Sequence, residues 1–202
     1  LLFNNAGVIP GTNILKSTIK DYEWVIGVNL WGVIYGVNVF LPIMLEQKEK
    51  SHIVNTSSGS SFSPGNGAYD VTKNGVTALS ENMRIQLKNI NSHVSVSLLI
   101  PGIVDTGIVD SNRNRPKHLK NPSKGSRNWE EVNKRLEEIR NRYRGSMSPN
   151  LVADMTFEAI IDDTFYIFTE MGMKEGIENR NKWMMSGFDA LEKFLEKKKL
   201  KN

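Results

Sequence analysis

Apolar residues recur along the chain at two spacings, which predict strands that alternate with helices. Four short runs rich in β-branched and aromatic residues predict strands at residues 1–3, 52–56, 94–100 and 165–168. Apolar positions three or four residues apart predict helices over residues 18–45, 69–90 and 129–143, from 148 onwards and from 177 onwards. Alternation of this kind is typical of a parallel sheet with helices on both faces. We therefore expect one α/β domain over residues 1–202, built as a doubly wound parallel sheet in three layers.

The first predicted helix contains a stretch that is long enough to cross a bilayer. Residues 25–45 carry no charged side chain. The same stretch holds Asn29, Asn38 and Pro42, and polar side chains are costly in lipid. We expect a helix that is buried between the sheet and a partner helix, and no membrane association.

Composition narrows the chemistry that this fold can carry. Of the 202 residues, 39% are hydrophobic and 24% are charged, which is typical of a globular chain. There is no Cys, and the three His do not stand at metal-ligand spacing, so we expect no disulfide, no thiol nucleophile and no metal site. The sequence opens in an apolar strand and has no signal-peptide pattern, so we expect a cytoplasmic protein with further sequence upstream of Leu1.

Ligands of doubly wound sheets bind at the carboxyl ends of the strands. In this chain the segments that follow the first three predicted strands are residues 4–7, 56–61 and 101–106. We expect the functional site to lie among these three segments.

Tyr69 and Lys73 are the pair of residues that points to a reaction. They lie one helical turn apart, on a stripe of the predicted helix that is otherwise mainly apolar. An ammonium within about 4–6 Å of a phenol favours the phenolate and lowers the pKa of the phenol from its usual value of about 10. We predict that Lys73 lowers the pKa of Tyr69, so that the phenol exchanges a proton with a carbonyl or alcohol oxygen. The alternative is a surface contact between the two side chains.

Two further polar residues are candidates for supporting roles. Ser58 follows the second predicted strand and could hold a carbonyl oxygen beside the phenol, although three other serines share its loop. Asn29 lies inside a predicted helix, where Asn is unfavourable. Either its amide is satisfied in the core, or the helix is kinked there and a freed carbonyl holds a water chain to Lys73.

Five motifs occur in an order that is typical of a known family. They are Asn4-Asn5-Ala6-Gly7, Asn29, Ser57-Ser58, Tyr69-x-x-x-Lys73 and Pro101-Gly102-x-x-x-Thr106. In this order the chain resembles the short-chain dehydrogenase/reductase family, closely over residues 1–106 and more loosely over residues 150–168. The resemblance implies a Rossmann-like fold and a NAD(P)-dependent oxidoreductase that interconverts a ketone or aldehyde with an alcohol and needs no metal.

The resemblance also implies a role for each matching residue. Tyr69 would be the general acid and base, and Lys73 would bind the nicotinamide ribose and lower the pKa of Tyr69. Ser58 would orient the substrate, and Asn29 would anchor a water of the proton relay. The cofactor, NAD or NADP, would contact Asn5, Ala6, Gly7, Tyr69, Lys73, Pro101, Gly102 and Thr106.

The chain departs from the family pattern in two ways. The spacing from Ser58 to Tyr69 is about two residues shorter than usual, so Ser60 is an alternative to Ser58. The Gly-rich phosphate turn of the family, and the residue that selects NAD or NADP, belong to units upstream of Leu1. We therefore expect the C-terminal portion of the fold, an exposed apolar edge beside residues 1–3, and weak dinucleotide binding by this chain alone.

Positive charge is concentrated in residues 113–144, which carry 11 Lys and Arg against 4 Glu, a net charge of +7. Three interpretations are open: a solvated and mobile segment, a surface for nucleic acid or membrane, and a basic lid that attracts an anionic substrate. The family resemblance implies a substrate lid over residues 107–148.

The expected partners are a small carbonyl or alcohol substrate and further copies of the chain. The helices at residues 20–45 and 69–90 keep apolar faces after they have covered the sheet, so we expect a homodimer or homotetramer packed through them. We expect no nucleic acid. A different class of function stays open, namely a non-catalytic family member that acts as an interaction module.

Overall fold

The computed structural model describes residues 1–63, 65–121 and 129–198. Its sheet has four parallel strands in the order β1-β2-β3-β4. The strands are β1 (Leu2–Asn4), β2 (Ser51–Thr56), β3 (Val94–Ile100) and β4 (Tyr166–Phe168). Each lies where the apolar pattern predicted a strand, and β3 has the predicted bounds.

The α-helices of the described residues alternate with the strands as predicted. They are α1 (Ile19–Val25), α2 (Trp31–Gln47), α3 (Ala68–Asn89), α4 (Trp129–Tyr143), α5 (Pro149–Ile161) and α6 (Met173–Lys198). Helix α5 begins at the predicted cap, where the Ser148 hydroxyl accepts a hydrogen bond from the Leu151 N–H and Pro149 occupies the first turn.

The two faces of the sheet are covered by different helices. On one face Ile53 of β2 and Val96 of β3 pack in the main core with side chains of α2 and α3. On the opposite face Val54 and Leu99 pack against α5. Adjacent strand residues point to opposite faces, so burial on both faces requires helices on both. The doubly wound, three-layer α/β architecture is confirmed.

The helix predicted over residues 18–45 is interrupted by one wide turn. Between α1 and α2 the backbone forms a π-helical turn, Ile26–Leu30, in which the Trp31 N–H bonds to the Ile26 carbonyl. Turns of this kind occur mostly as single bulges and frequently at functional sites. Asn29 lies in the turn and is completely buried.

Within the described residues, one helical run, Ile19–Gln47, is long and apolar enough to cross a bilayer, with a mean hydropathy of 1.7. Core helices of globular domains pass the same test. Here α2 contributes Val33, Val37 and Met44 to the core beside the sheet, but most of its other residues are exposed. Within the described residues the helix is therefore covered on the side of the sheet and not on both sides as expected.

The sheet has β1 and β4 at its two edges. Among the described residues β1 pairs with β2 alone, and Leu1 and Phe3 are 68% and 43% exposed. The exposed apolar edge expected beside the first strand is therefore present.

Candidate active site

The predicted site residues meet at the carboxyl ends of β1, β2 and β3, where helix α3 begins. The stripe of α3 that the sequence placed on one face is buried throughout: Tyr69, Lys73, Val76, Ser80, Met83 and Leu87. The side chains of Tyr69 and Lys73 therefore point into the protein, which excludes the alternative of a surface contact.

Lys73 is a buried cation held by a backbone carbonyl. Its side chain is 3% exposed, and its Nζ donates a hydrogen bond of 2.8 Å to the carbonyl of Thr56, the last residue of β2. The same Nζ lies 5.6 Å from the centre of the Tyr69 ring. Burial disfavours the charged amine and lowers the pKa of Lys73 to about 8.

Tyr69 stays protonated at neutral pH. Burial raises the pKa of its phenol to about 12, and a hydrogen bond with the Ser58 hydroxyl offsets only part of that effect. The net shift of the Tyr69 pKa is therefore opposite in direction to the one predicted. The physical reason is that the loss of hydrating water destabilises the phenolate more than the neighbouring groups stabilise it.

The loop after β2 presents its serines differently. Ser58 caps a short 3-10 turn, Gly59–Ser61, and its hydroxyl is near enough to the Tyr69 phenol to lower the pKa of that group. The Ser60 hydroxyl oxygen is buried and has no hydrogen-bond partner within the described residues. The effect of Ser58 on the phenol favours Ser58 over Ser60 as the serine beside Tyr69, and which of the two holds a substrate stays a prediction.

Ser57 has a structural task. It is completely buried, and its hydroxyl contacts the Lys73 carbonyl at 2.9 Å and the Thr77 and Ser61 hydroxyls at 2.8 Å each. These contacts join the serine loop, residues 57–61, to the first turns of α3. Ser57 therefore fixes Ser58 and Tyr69 relative to each other.

Asn29 joins the loop after β1 to α3. Its Oδ1 accepts from the Val8 N–H at 2.8 Å, and its Nδ2 donates to the Val8 carbonyl at 2.9 Å and to the Thr72 hydroxyl at 3.1 Å. The side-chain amide is thus satisfied in the core, which was one of the two interpretations of Asn29. The other also has support, since the helix departs from α geometry at this residue.

The Asn5-Ala6-Gly7 segment runs past the buried amine. The Thr56 hydroxyl donates to Asn5 Oδ1 at 2.9 Å. A side-chain carbon built on Gly7 would lie 3.7 Å from Lys73 Nζ and 3.8 Å from Asn29 Oδ1, so the bare backbone forms one wall of the site.

The turn after β3 is held by residues that sequence analysis missed. The Thr169 hydroxyl accepts from the Gly102 N–H at 3.0 Å, and Glu170 Oε1 accepts from the Ile103 N–H at 2.8 Å. The Glu170 carboxylate fills the space that a side chain at Gly102 would need. The signal was available, because Thr169 and Glu170 follow β4 at the same edge of the sheet as the three segments that were singled out.

Pro101 and Thr106 stand at different distances from the serine loop. The Pro101 carbonyl accepts from the Gly59 N–H at 3.0 Å, which places Pro101 beside that loop. Thr106 is exposed at the start of the 3-10 turn Gly107–Asn114, and its side chain makes no capping bond there. The structure therefore brings Pro101 and Gly102 to the site and leaves Thr106 at its outer rim.

Two side chains of the first part of the predicted lid are bonded to the body of the protein. The Ser111 hydroxyl bonds to the N–H and the carbonyl of Ile9, at 2.9 and 3.1 Å. Arg115 is buried and pairs with Asp21 at 2.6 Å, and its guanidinium lies 4.9 Å from the Trp24 ring. Arg115 is therefore not a solvated charge, whereas Arg113, Lys117 and Lys120 of the same part are exposed.

The rest of the predicted lid is described in part. Residues 122–128 lie outside the described residues, and α4 has the bounds that the sequence predicted. Arg140 pairs with Asp110 at 2.8 Å and with Glu137 at 3.2 Å, and Arg144 also contacts Glu137. These arginines of the basic segment are therefore engaged with carboxylates of the chain.

Comparison with known proteins agrees with this arrangement. A model of the short chain dehydrogenase family matches residues 1–117, which is more than half of the chain. The chain therefore belongs to the short chain dehydrogenase family, as its motifs predicted.

Similar proteins include solved structures and characterised enzymes. A short chain dehydrogenase/reductase from Burkholderia phymatum, solved in complex with NAD, is 39% identical with a TM-score of 0.83, and the match covers 92% of this chain and 66% of that one. The CLA biosynthesis dehydrogenase/reductase of Lactiplantibacillus plantarum is 28% identical over 90% of this chain and 64% of that protein. The C alpha-dehydrogenase of Sphingobium sp. strain SYK-6 is 30% identical over 88% of this chain and 57% of that protein. The chain thus matches between 57% and 66% of the length of these relatives.

The residues of the site fit the nicotinamide half of a dinucleotide. Lys73 has three N–H donors, and its contact with the Thr56 carbonyl uses one of them. A side-chain carbon on Gly7 would come into contact with that amine at 3.7 Å, and the Ser60 hydroxyl oxygen has no partner among the described residues. Hydrogen-bond donors are therefore available for ribose hydroxyls and for a substrate oxygen.

Proposed function

We propose that the protein is an NAD(P)-dependent oxidoreductase that interconverts a ketone or aldehyde with the corresponding alcohol. The observation that carries this proposal is the arrangement of half-buried Ser58 with buried Tyr69 and Lys73 at the carboxyl end of β2. A neutral phenol, a hydroxyl and an amine in one partly dry site can bind a carbonyl oxygen and give it a proton.

Each of the three residues has one task in the proposed reaction. Ser58 donates a hydrogen bond to the substrate carbonyl oxygen and keeps it beside the phenol. Tyr69 gives its proton to that oxygen in reduction, and takes the proton from the alcohol in oxidation. Lys73 holds the nicotinamide ribose and places its positive charge near the phenol, which stabilises the phenolate that reduction leaves behind. A nicotinamide bound at this site would supply the hydride in reduction and accept it in oxidation.

The protonation states support carbonyl reduction in particular. With a pKa of about 12, the Tyr69 phenol carries its proton at neutral pH and is ready to donate it. With a pKa of about 8, Lys73 is mainly charged at the same pH. Oxidation of an alcohol needs the phenolate, so it should gain more than reduction does from a rise in pH.

Association with further copies of the chain belongs to the same proposal. Helix α2 exposes an apolar row at three- to four-residue spacing, with Tyr35, Val39 and Ile43 between 47% and 61% exposed. Helix α3 exposes Val71 and Ile85 on the side away from the sheet. A homodimer or homotetramer packed through α2 and α3 would cover these side chains.

Replacement of Tyr69 by Phe tests the proposal most simply. The Tyr69→Phe variant keeps the buried ring and removes the proton, so we expect turnover of NADH or NADPH with a panel of ketones and aldehydes to fall at least about 100-fold. The control is Tyr35→Phe, which removes the hydroxyl of an exposed tyrosine and should leave turnover unchanged. Full activity of Tyr69→Phe would eliminate this residue as the proton donor.

A further inference from the structure

Helix α6 is the feature of the described residues that the dehydrogenase site does not explain. It runs for 26 residues from Met173 to Lys198 and contains no buried residue. Its first turns contact the body of the protein. Met173 lies against Gly59, and the Arg180 guanidinium lies 5.8 Å from the Phe62 ring. From residue 181 to residue 198 every residue except Leu195 is exposed.

The exposed part of α6 is strongly amphipathic. Apolar side chains fall on one face at spacings of three and four residues. This apolar stripe of α6 consists of Trp183, Met184, Phe188, Leu191, Phe194 and Leu195. Trp183 is 77% exposed and Phe188 is 58% exposed. A helix with no tertiary contacts is marginal in water, so a stripe of this size requires a surface that covers it.

Helix α6 starts at the edge of the sheet that lies opposite the open edge beside β1. Helix α6 follows β4, whereas the open edge expected to take an upstream strand is beside β1. Three strand spacings, or about 14 Å, separate these two edges.

An anionic bilayer is a poor match for α6. Over residues 181–198 the helix carries four Lys, one Asp and two Glu, a net charge of +1. The acidic residues stand on the polar face among the lysines. Helices that lie on anionic membranes carry mainly Lys and Arg on that face, so a mixed face gains little attraction from such lipids.

We propose that the apolar stripe of α6 packs against the same stripe of a second copy of this chain. A pairing of identical surfaces brings together two faces that are nearly neutral, and the mixed polar faces can remain in water. Six large side chains that lose about 100 Å² each amount to about 600 Å² per copy, which approaches the ~800 Å² per partner of a stable interface. This contact is separate from the association through α2 and α3, and it does not depend on the proposed activity.

Sedimentation velocity of the whole chain between micromolar and hundred-micromolar concentration tests the proposal. In Leu191→Glu a charge enters the stripe, and the particle should contain half as many chains as in the wild type. Ser186→Glu puts the same charge on the polar face and should leave the mass unchanged. Equal masses for the wild type and Leu191→Glu would overturn the proposal.

Cysteine cross-linking gives an independent reading, because the chain has no Cys of its own. Single variants Met184→Cys, Phe188→Cys and Leu191→Cys are oxidised at micromolar concentration, with Ser186→Cys as the control on the polar face. We expect a disulfide-linked dimer from at least one of the three stripe variants and none from the control. Absence of a dimer from all three stripe variants would contradict the pairing. So would binding of the wild type to vesicles with about 30% anionic lipid, if Leu191→Glu abolishes that binding and leaves the mass of the particle unchanged.

Discussion

Two buried cations lie in opposite electrostatic surroundings in this protein. Arg115, in the first part of the predicted lid, is neutralised by the Asp21 carboxylate at 2.6 Å and lies over the Trp24 ring. Lys73, in the candidate active site, contacts the Thr56 carbonyl at 2.8 Å, and no carboxylate forms a salt bridge with it within the described residues. A buried cation that pairs with an anion links two segments of the chain. A buried cation without such a partner remains able to interact with a bound ligand.

The pKa of the Asp21 carboxyl, which pairs with Arg115, reflects the same difference. Burial alone would raise the pKa of the Asp21 carboxyl, but hydrogen bonds from the Thr18 backbone and from Arg115 outweigh it and lower that pKa. For Lys73 burial is opposed by no such partner, and its pKa falls to about 8. Removal of the cation should therefore have opposite effects on stability at the two places.

The largest effect is expected for Arg115→Met. This change leaves the Asp21 carboxylate buried without its guanidinium, which costs about 3–5 kcal/mol of the free energy of unfolding. Chemical denaturation monitored by tryptophan fluorescence measures the loss. Arg113→Met, two residues earlier in the same segment and exposed, is the control and should change stability little. If both variants unfold alike, the ion pair does not hold the lid segment.

Lys73→Met is expected to stabilise the fold while it removes activity. An apolar side chain of similar length avoids the cost of burying the amine, so we expect a gain of roughly 2 kcal/mol at pH 7. Turnover should fall by about 100-fold or more, because the ribose and the phenolate lose their cation. Lys88→Met, on the exposed side of the same helix, should leave both properties unchanged. A large loss of stability in Lys73→Met would contradict the comparison.

The pH dependence of stability should carry the signature of Lys73. Its folded pKa of about 8 lies below the unfolded value of 10.5, so the unfolded chain binds more protons between these two values. Stability must therefore rise by about 3 kcal/mol as the pH increases through this window. The wild type minus Lys73→Met difference, measured by denaturation at intervals of pH, isolates this contribution. A difference that stays flat would mean that the amine is solvated.

Tyr69 contributes with the opposite sign at higher pH. Its folded pKa of about 12 lies above the unfolded value of 10.0, so its stabilising contribution is present below pH 10 and is lost as the pH rises towards 12. The same denaturation series on Tyr69→Phe should lack this decline.

The smallest effect is expected at Glu170, which holds the turn after β3. In Glu170→Ala the Ile103 N–H loses its acceptor, which should cost about 1 kcal/mol locally and accelerate amide hydrogen exchange of that turn about fivefold. Glu170→Gln keeps an amide oxygen in place and should restore most of the protection. Exposed Glu175→Ala is the control. Unchanged exchange in Glu170→Ala would show that the bond to Ile103 does not order the turn.

Local patterns predicted the parts of this molecule that depend on neighbours in sequence. β3 and α4 have the predicted bounds, and the inward position of Lys73 follows from helical spacing alone. The π-helical turn at Asn29 depends on contacts with Val8 and Thr72, which are 21 and 43 residues away, so the sequence indicated only that Asn29 was out of place.

Long-range pairs were beyond the reach of the same patterns. Arg115 and Asp21 are 94 positions apart, and each by itself resembles a surface charge, so no local pattern indicated their pairing. The Tyr69 pKa was predicted in the wrong direction because spacing shows which groups are near but does not show how much water they lose.

The titration of the Lys73 amine tests directly whether this cation is buried without an anionic partner. Nuclear magnetic resonance of the protein labelled at the lysine side-chain nitrogens, with Lys73→Met to identify the signal, gives the pKa of this one group. We expect the midpoint of the titration to lie near the pKa of about 8 that burial gives to Lys73. A midpoint at the ordinary lysine value of about 10.4 would show that the amine is hydrated or paired, and would contradict the account.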